Sequence, residues 1–361
     1  MSDPLLKPIK IGQFTLANRA FMAPMTRGRA GKSRVANELI ATYYEQRASA
    51  GLLITEATAV SKGGYGWVGA PAIYNSEQQK GWEKTTRAVH NAGGHIFLQL
   101  WHMGRVSHPD FLEGNLPVGP SSIAARGESV TPPGKKDYVI PHELTIADMK
   151  EIVVEYRDAT KRALEAGFDG VEIHSANGYL LDQFLRDGSN ARGDEYGGSI
   201  ENRLRFPLEI ADAVVEVATK EKVGLRISPV NPYNDMMDSS PKELFCSYAT
   251  ELDKRQLAYL HVLEALPGHF LHAENQEPVL PEVRKAFNGV LIANGGYQYE
   301  SANELIANGT ADAIAFGVPF LANPDLLARF KTGADLNVPD METFYSQSAE
   351  GYTDYPFLDT I

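Results

Sequence analysis

The chain has 361 residues, which at about 150 residues per domain suggests two domains, and its 43% hydrophobic and 22% charged content excludes a disordered chain. Its 46 acidic against 34 basic side chains leave a formal net charge of −12, the wrong sign for a nucleic-acid binder, while the lone Cys246 excludes an intramolecular disulfide or a cysteine metal cluster and suits a reducing compartment. No run of about 18 apolar residues offers a membrane span, and Met1 to Lys10 lack the apolar core of a signal peptide, so a cytoplasmic protein is expected.

Ile9 to Arg19 reads as a short hairpin, Ile-Lys-Ile and Phe-Thr-Leu about Gly-Gln, placed to close one end of the molecule. Strand-type runs then follow at Ala20–Met22, Leu52–Val60 and His95–His102. Arg105 to Glu143 is rich in Pro, Gly and Ser, and a loop of that length in a compact domain is usually functional. From Thr145 to Ala166 the apolar positions Met149, Ile152, Val153, Tyr156, Ala163 and Leu164 form one helical stripe, with Thr145 at the N-cap position and Gly167 as the stop. Gly170–His174 is the fourth strand, and the helical pattern from Glu201 to Lys222 contains Pro207, where an early break or kink is expected. Gly224–Pro229, Tyr259–Ala265, Gly289–Gly296 and Asp312–Gly317 complete eight strands.

Several of these runs are continuously apolar, as strands covered on both faces must be. Strand–helix alternation repeated eight times fits one (β/α)8 TIM barrel of the α/β class over residues 1–361, with an N-terminal β-hairpin and the 105–143 excursion over the active-site face. A doubly wound open sheet is the alternative.

Some local patterns mislead. Gly64-Tyr-Gly-Trp-Val-Gly69 matches the dinucleotide fingerprint, but Ala70-Pro71-Ala72 follows it where a helix N-terminus is needed. Asn308-Gly309-Thr310 reads as a helix end rather than a glycosylation site, and Cys246 as a buried packing residue. Nine scattered histidines lack ligand spacing, so no metal is expected.

Polar residues at the C-terminal ends of barrel strands are the catalytic candidates: Thr26, Glu56, Gln99, His102, His174, Arg226 and the glycines 295 and 296. The fourth end is the richest. His174 and Asn177 can both donate to one oxygen, the logic of an oxyanion hole, and the phenol of Tyr179 can deliver a proton. A plainer reading has His174 and Asn177 satisfying loop carbonyls. Gly295 and Gly296 after strand seven and Gly317 after strand eight stand where barrels hold phosphate on backbone N–H groups, so a phosphorylated substrate or cofactor is expected. Gln99 and Arg226 could bind the edge of a flat heterocycle.

Ala23-Pro-Met-Thr-Arg27, Gln99-Leu-Trp-His-Met-Gly-Arg105 and His174-Ser-Ala-Asn-Gly-Tyr-Leu-Leu-Asp-Gln-Phe184 closely resemble the Old Yellow Enzyme family. So do Asn190 to Arg203, Ala293-Asn-Gly-Gly-Tyr297 and the tail Ala349 to Pro356, in the family's order along the chain. The resemblance implies an FMN-binding barrel that uses NADPH to reduce activated alkenes (unsaturated carbonyls, maleimides, nitroalkenes), with nitro compounds or nitrate esters as further oxidants. It implies that Pro24, Met25, Thr26, Ala57, Gln99 and Arg226 line the non-covalently held flavin and that Gly295, Gly296 and Gly317 hold its phosphate. It further implies that His174 and Asn177 hold the substrate oxygen, that Tyr179 protonates the α-carbon in a ping-pong cycle, and that Trp67, Trp101 and Tyr345 wall the substrate pocket. Threonine at position 26 places the chain apart from the subgroup with cysteine there. The family usually has arginine where this chain has Val318, which implies weaker flavin retention, and Ser346-Gln347-Ser348 replaces a glycine-rich stretch beside Tyr345. Small-molecule alkenes are the expected partners of a monomer or weak homodimer, with neither nucleic acid nor membrane. A phosphosugar isomerase or aldolase, lacking a lysine or carboxylate base at this centre, and a flavin carrier without turnover are the competing readings.

Overall fold

All eight apolar runs contribute strands to one parallel sheet in the computed structural model, which describes residues 3–274 and 276–358. The barrel strands are β1 (Ala20–Met22), β2 (Leu53–Ile54), β3 (Ile96–Trp101), β4 (Gly170–His174), β5 (Val223–Ile227), β6 (Tyr259–Leu263), β7 (Leu291–Asn294) and β8 (Ala313–Phe316). Each pairs in parallel with the next in the chain, and β8 pairs back onto β1, Ala315 opposite Phe21, so the sheet closes. Closure excludes the open sheet. It also removes every edge and aims all eight C-terminal strand ends at one face.

The helices between strands follow from their caps. The helix Ile146–Glu165 starts on a reciprocal capping box between Thr145 and Asp148 and stops at Gly167, whose φ of +91° favours glycine. Asn308 caps the helix Tyr299–Ala307, as a helix end rather than a glycan site would have it. Two expectations fail here. The helix Ile200–Ala218 runs unbroken through Pro207. Proline removes one N–H, and the buried Phe206, its ring tilted 45° against that of Phe184 at 4.5 Å, holds the helix to its neighbour regardless. Cys246, on the helix Pro241–Arg255, is half-buried rather than buried.

The run Leu52–Val60 is not one strand. It breaks after Ile54 because Glu56 turns inward and its Oε2 accepts from the N–H groups of Arg27 and Gly28, both at 3.0 Å. The Glu56 N–H itself donates to the Tyr44 hydroxyl at 2.7 Å, so backbone groups that would extend the ladder are satisfied by side chains instead. Pairing resumes at Thr58–Ala59, against Leu100–Trp101.

At the N-terminal end of the barrel the hairpin Ile9–Ile11 and Phe14–Leu16 turns on Gly12 and packs Ile9, Ile11 and Leu16 into a core with Phe21, Phe97 and Tyr259. At the other end the 105–143 excursion carries structure of its own. Glu128–Thr131 pairs antiparallel with Gly134–Asp137, and Tyr138, like Trp67 and Tyr179, packs against the buried cluster that contains Trp101. Residues 64–69 form a loop with no helix before Ser76, and Gly64 is glycine because a Cβ there would stand 2.8 Å from His102.

Candidate active site

The C-terminal ends of the strands open into a cavity of about 600 Å³, within the range of small-molecule and cofactor sites. Pro24, Met25, Thr26, Ala57, Gln99, His174, Asn177, Tyr179, Arg226, Gly296 and Gly317 all line it, as do Trp67 and Tyr345. Two expected members do not. Trp101 is fully buried behind Tyr179, its ring edge-on at 5.3 Å, so it backs the phenol rather than walls the pocket. Gly295 lies beneath the surface, where a Cβ would stand 2.2 Å from the Glu264 carbonyl oxygen, so its glycine serves chain packing. Glu56 and His102 also turn away. Glu56 holds the Arg27–Gly28 backbone, and His102 Nδ1 accepts from the Gly104 N–H at 3.1 Å.

The turn after β4 explains how three functional groups come together. His174 ends the strand, Asn177 and Gly178 both take left-handed backbone (φ +58° and +73°), and Tyr179 caps the short helix Leu180–Leu185. Asparagine tolerates that conformation, and here its neighbours fix it. The Asn177 N–H donates to Ser228 Oγ at 2.7 Å, and its carbonyl accepts from Asn234 Nδ2 at 2.8 Å. Gly178 N–H donates to Asp182, which is itself ion-paired with the buried Arg186. Asn177 Oδ1 accepts from Asn231 Nδ2 at 2.7 Å, leaving the Asn177 amide N–H groups without a partner among the described residues. The loop-carbonyl reading therefore fails for the Asn177 side chain. The His174 ring stands 4.9 Å from that of Tyr179 at 81°, and its Nδ1 is buried with no partner among the described residues.

Burial sets the protonation states. Loss of solvent, with Arg226 and His261 adding to it, holds the His174 imidazole well below its usual range, so it is a neutral ring at pH 7. Burial, reinforced by Tyr233, Tyr138 and Tyr345, pushes the Tyr179 phenol well above its own, so it keeps its proton.

On the barrel floor a buried network orients the remaining polar groups. Glu172 accepts from Gln99 Nε2 at 2.7 Å and pairs with His261 Nδ1 at 2.9 Å. With its amide nitrogen engaged, Gln99 has its oxygen left as an acceptor. Beside it Arg226 gives Nη2 to Asn294 Oδ1 at 2.7 Å while its Nε is buried and has no partner among the described residues. One spare acceptor beside a cation with spare N–H groups matches the alternating carbonyl and N–H edge of a flavin ring. The exposed turn at Gly296 (φ +105°), which only glycine adopts easily, opens the other end of the cavity for a phosphate. The residues present fit FMN.

Polar groups so placed on a closed barrel define a TIM-barrel oxidoreductase of the flavin-dependent class. Comparison with known proteins makes the class a family: residues 4–337 match the model of the NADH:flavin oxidoreductase / NADH oxidase family, and the chain belongs to it. It is 43% identical to a probable flavin mononucleotide-dependent alkene reductase of Leishmania infantum, covering 99% of this chain and 98% of that protein. Identity to 12-oxophytodienoate reductase 1 of rice (Oryza sativa subsp. japonica) is 44%, over 99% of this chain and 94% of that one. The solved Old Yellow Enzyme homologue from Zymomonas mobilis superposes with a TM-score of 0.96 at 44% identity, covering 98% and 99% of the two chains.

Asn294, Asn231, Tyr233 and the loop Leu266–Leu271 belong to the site or its support and had no role in the sequence reading. Asn294 ends β7, so the rule that found His174 could have found it; Asn231 and Tyr233 lie in an irregular segment after β5, where spacing carries no signal.

Proposed function

We propose that the protein is an NADPH-dependent, FMN-containing ene-reductase acting on activated alkenes such as α,β-unsaturated carbonyls, maleimides and nitroalkenes, with nitro compounds and nitrate esters as further oxidants. One observation carries the reading. The unpartnered amide of Asn177, the neutral His174 and the protonated Tyr179 share one cavity wall.

FMN, held by Pro24, Met25, Thr26, Ala57, Gln99 and Arg226, would supply the hydride chemistry between NADPH and the β-carbon of the alkene. His174 and Asn177 donate to the carbonyl or nitro oxygen and stabilise the negative charge that gathers there, each donor worth about 3 kcal/mol in a typical oxyanion site. Tyr179 gives its proton to the α-carbon. Arg226 keeps a fixed positive charge at the cavity floor, and Trp67 and Tyr345, their rings 5.4 Å apart, form the aromatic rim over which the oxidant enters. The same reading takes the enzyme to be cytoplasmic, acting as a monomer or weak homodimer.

The test is optical. The protein should purify yellow, NADPH should bleach it without oxygen, and 2-cyclohexenone should restore the colour. A preparation that stays colourless after incubation with FMN refutes the reading. Bleaching without restoration would leave a flavin carrier, and faster bleaching by NADH would reverse the cofactor assignment.

A further inference from the structure

The two ends of the cavity are unequally equipped. At the floor stands Arg226, the only lysine or arginine among the described lining residues; at the Gly296 end, Gly317 and Val318 contribute no charge and no side-chain donor. A phosphate there would meet backbone N–H groups and the polar side chains of His269, Tyr297 and Gln298, of which His269 alone is an imidazole.

Its placement is built. The Leu266 N–H donates to the Gly295 carbonyl at 2.7 Å, the His269 N–H to Leu266 at 3.1 Å, and the His272 N–H back to His269 at 2.9 Å, folding the loop onto the glycine turn. His272 Nδ1 bonds the Ala265 carbonyl at 2.8 Å and closes it. This sets the His269 ring beside Gly296: a Cβ built on that glycine would stand 3.5 Å from His269 Cδ2, the carbon bonded to Nε2. His269 Nδ1 accepts from the Leu271 N–H at 3.1 Å, so in the neutral ring the proton sits on Nε2. Nε2 has no partner among the described residues, and Phe270 stacks on the ring at 4.7 Å. Desolvation favours the neutral form. A ring with one nitrogen tied to the backbone and the other free is a fixed donor facing the cavity, the arrangement by which a second hydrogen bond sets the tautomer of a ligand-binding histidine.

We propose that His269 is a side-chain anchor for the phosphate of the bound flavin, donating from Nε2. The proposal rests on FMN being the cofactor.

Apo-protein titrated with FMN and, separately, with riboflavin, followed by flavin fluorescence, separates the two claims. Wild type should hold FMN more tightly than riboflavin. His269→Ala should weaken FMN about tenfold, one hydrogen bond to a charged group, and leave riboflavin within about twofold. His269→Gln, which restores an N–H donor, should recover most of the loss. Unchanged FMN affinity in His269→Ala, or equal weakening of both flavins, overturns the anchor while leaving the flavin reading intact. A wild type that binds neither flavin overturns both.

Discussion

Asn177 serves the site through its side chain and the fold through its backbone, and only Asn231 keeps the two compatible. By taking Oδ1, Asn231 Nδ2 points the amide N–H groups of Asn177 at the cavity. Asn231→Leu removes that preference, and the enone Kd should rise about tenfold, the worth of one well-oriented hydrogen bond, with flavin reduction by NADPH unchanged. Stopped-flow measurement of the two half-reactions checks this; equal slowing of both would point to a misfolded turn instead. Tyr179→Phe should slow reoxidation by enone on the order of a hundredfold, the range of general acids, again sparing reduction. Because burial raises the phenol above its ordinary range, the wild-type reoxidation rate should show no fall up to pH 9. Val318, 36% exposed at the start of a short helix beside Gly317, leaves room for a longer side chain, and Val318→Arg should tighten FMN about tenfold in the same fluorescence titration.

Between strands the sequence was legible wherever local rules act alone. Caps at Thr145 and Asn308, the hairpin about Gly12 and the eight apolar runs all depend on neighbours in the chain. The reading failed where distant partners decide. Glu56 breaks its strand to receive Arg27 and Gly28, Pro207 survives in a helix held by Phe184, and Trp101 is turned inward behind Tyr179. Within the site, the motif residues were identifiable by resemblance and Asn294 was within reach of the strand-end rule, while Asn231 and the loop through His269 depend on chain folding that spacing does not encode. The hairpin gives an element-scale test of separation between stability and chemistry. Ile11 is 1% exposed in the core that plugs the barrel's N-terminal end, so Ile11→Ala should cost about 2–5 kcal/mol in chemical denaturation. The bound-flavin spectrum and NADPH-driven bleaching of the folded fraction should not change, since the hairpin lies at the opposite end from the cavity.

Across the whole molecule, burial of histidine links the site to acid stability. His102 is held at about 3 by desolvation, and His174 and His261 are lowered for the same reason. An unfolded histidine titrates near 6.5, so as pH falls from there toward 3 the unfolded chain takes up a proton that native His102 refuses. The stabilisation is therefore complete above about pH 6.5 and is lost progressively below it. Glu56 and Glu264, raised by burial, act with the opposite sign over part of that window, so total stability is a poor readout and a difference is needed. His102→Asn keeps an acceptor for the Gly104 N–H and removes the titration. Between pH 7 and pH 5 the wild type should lose about 2 kcal/mol more than this variant in urea denaturation. Equal losses would mean that His102 is protonated in the folded barrel. Enone affinity of the molecules still folded should stay level over the same interval, because His174 is kept neutral and Tyr179 protonated by the burial that makes the fold sensitive to acid.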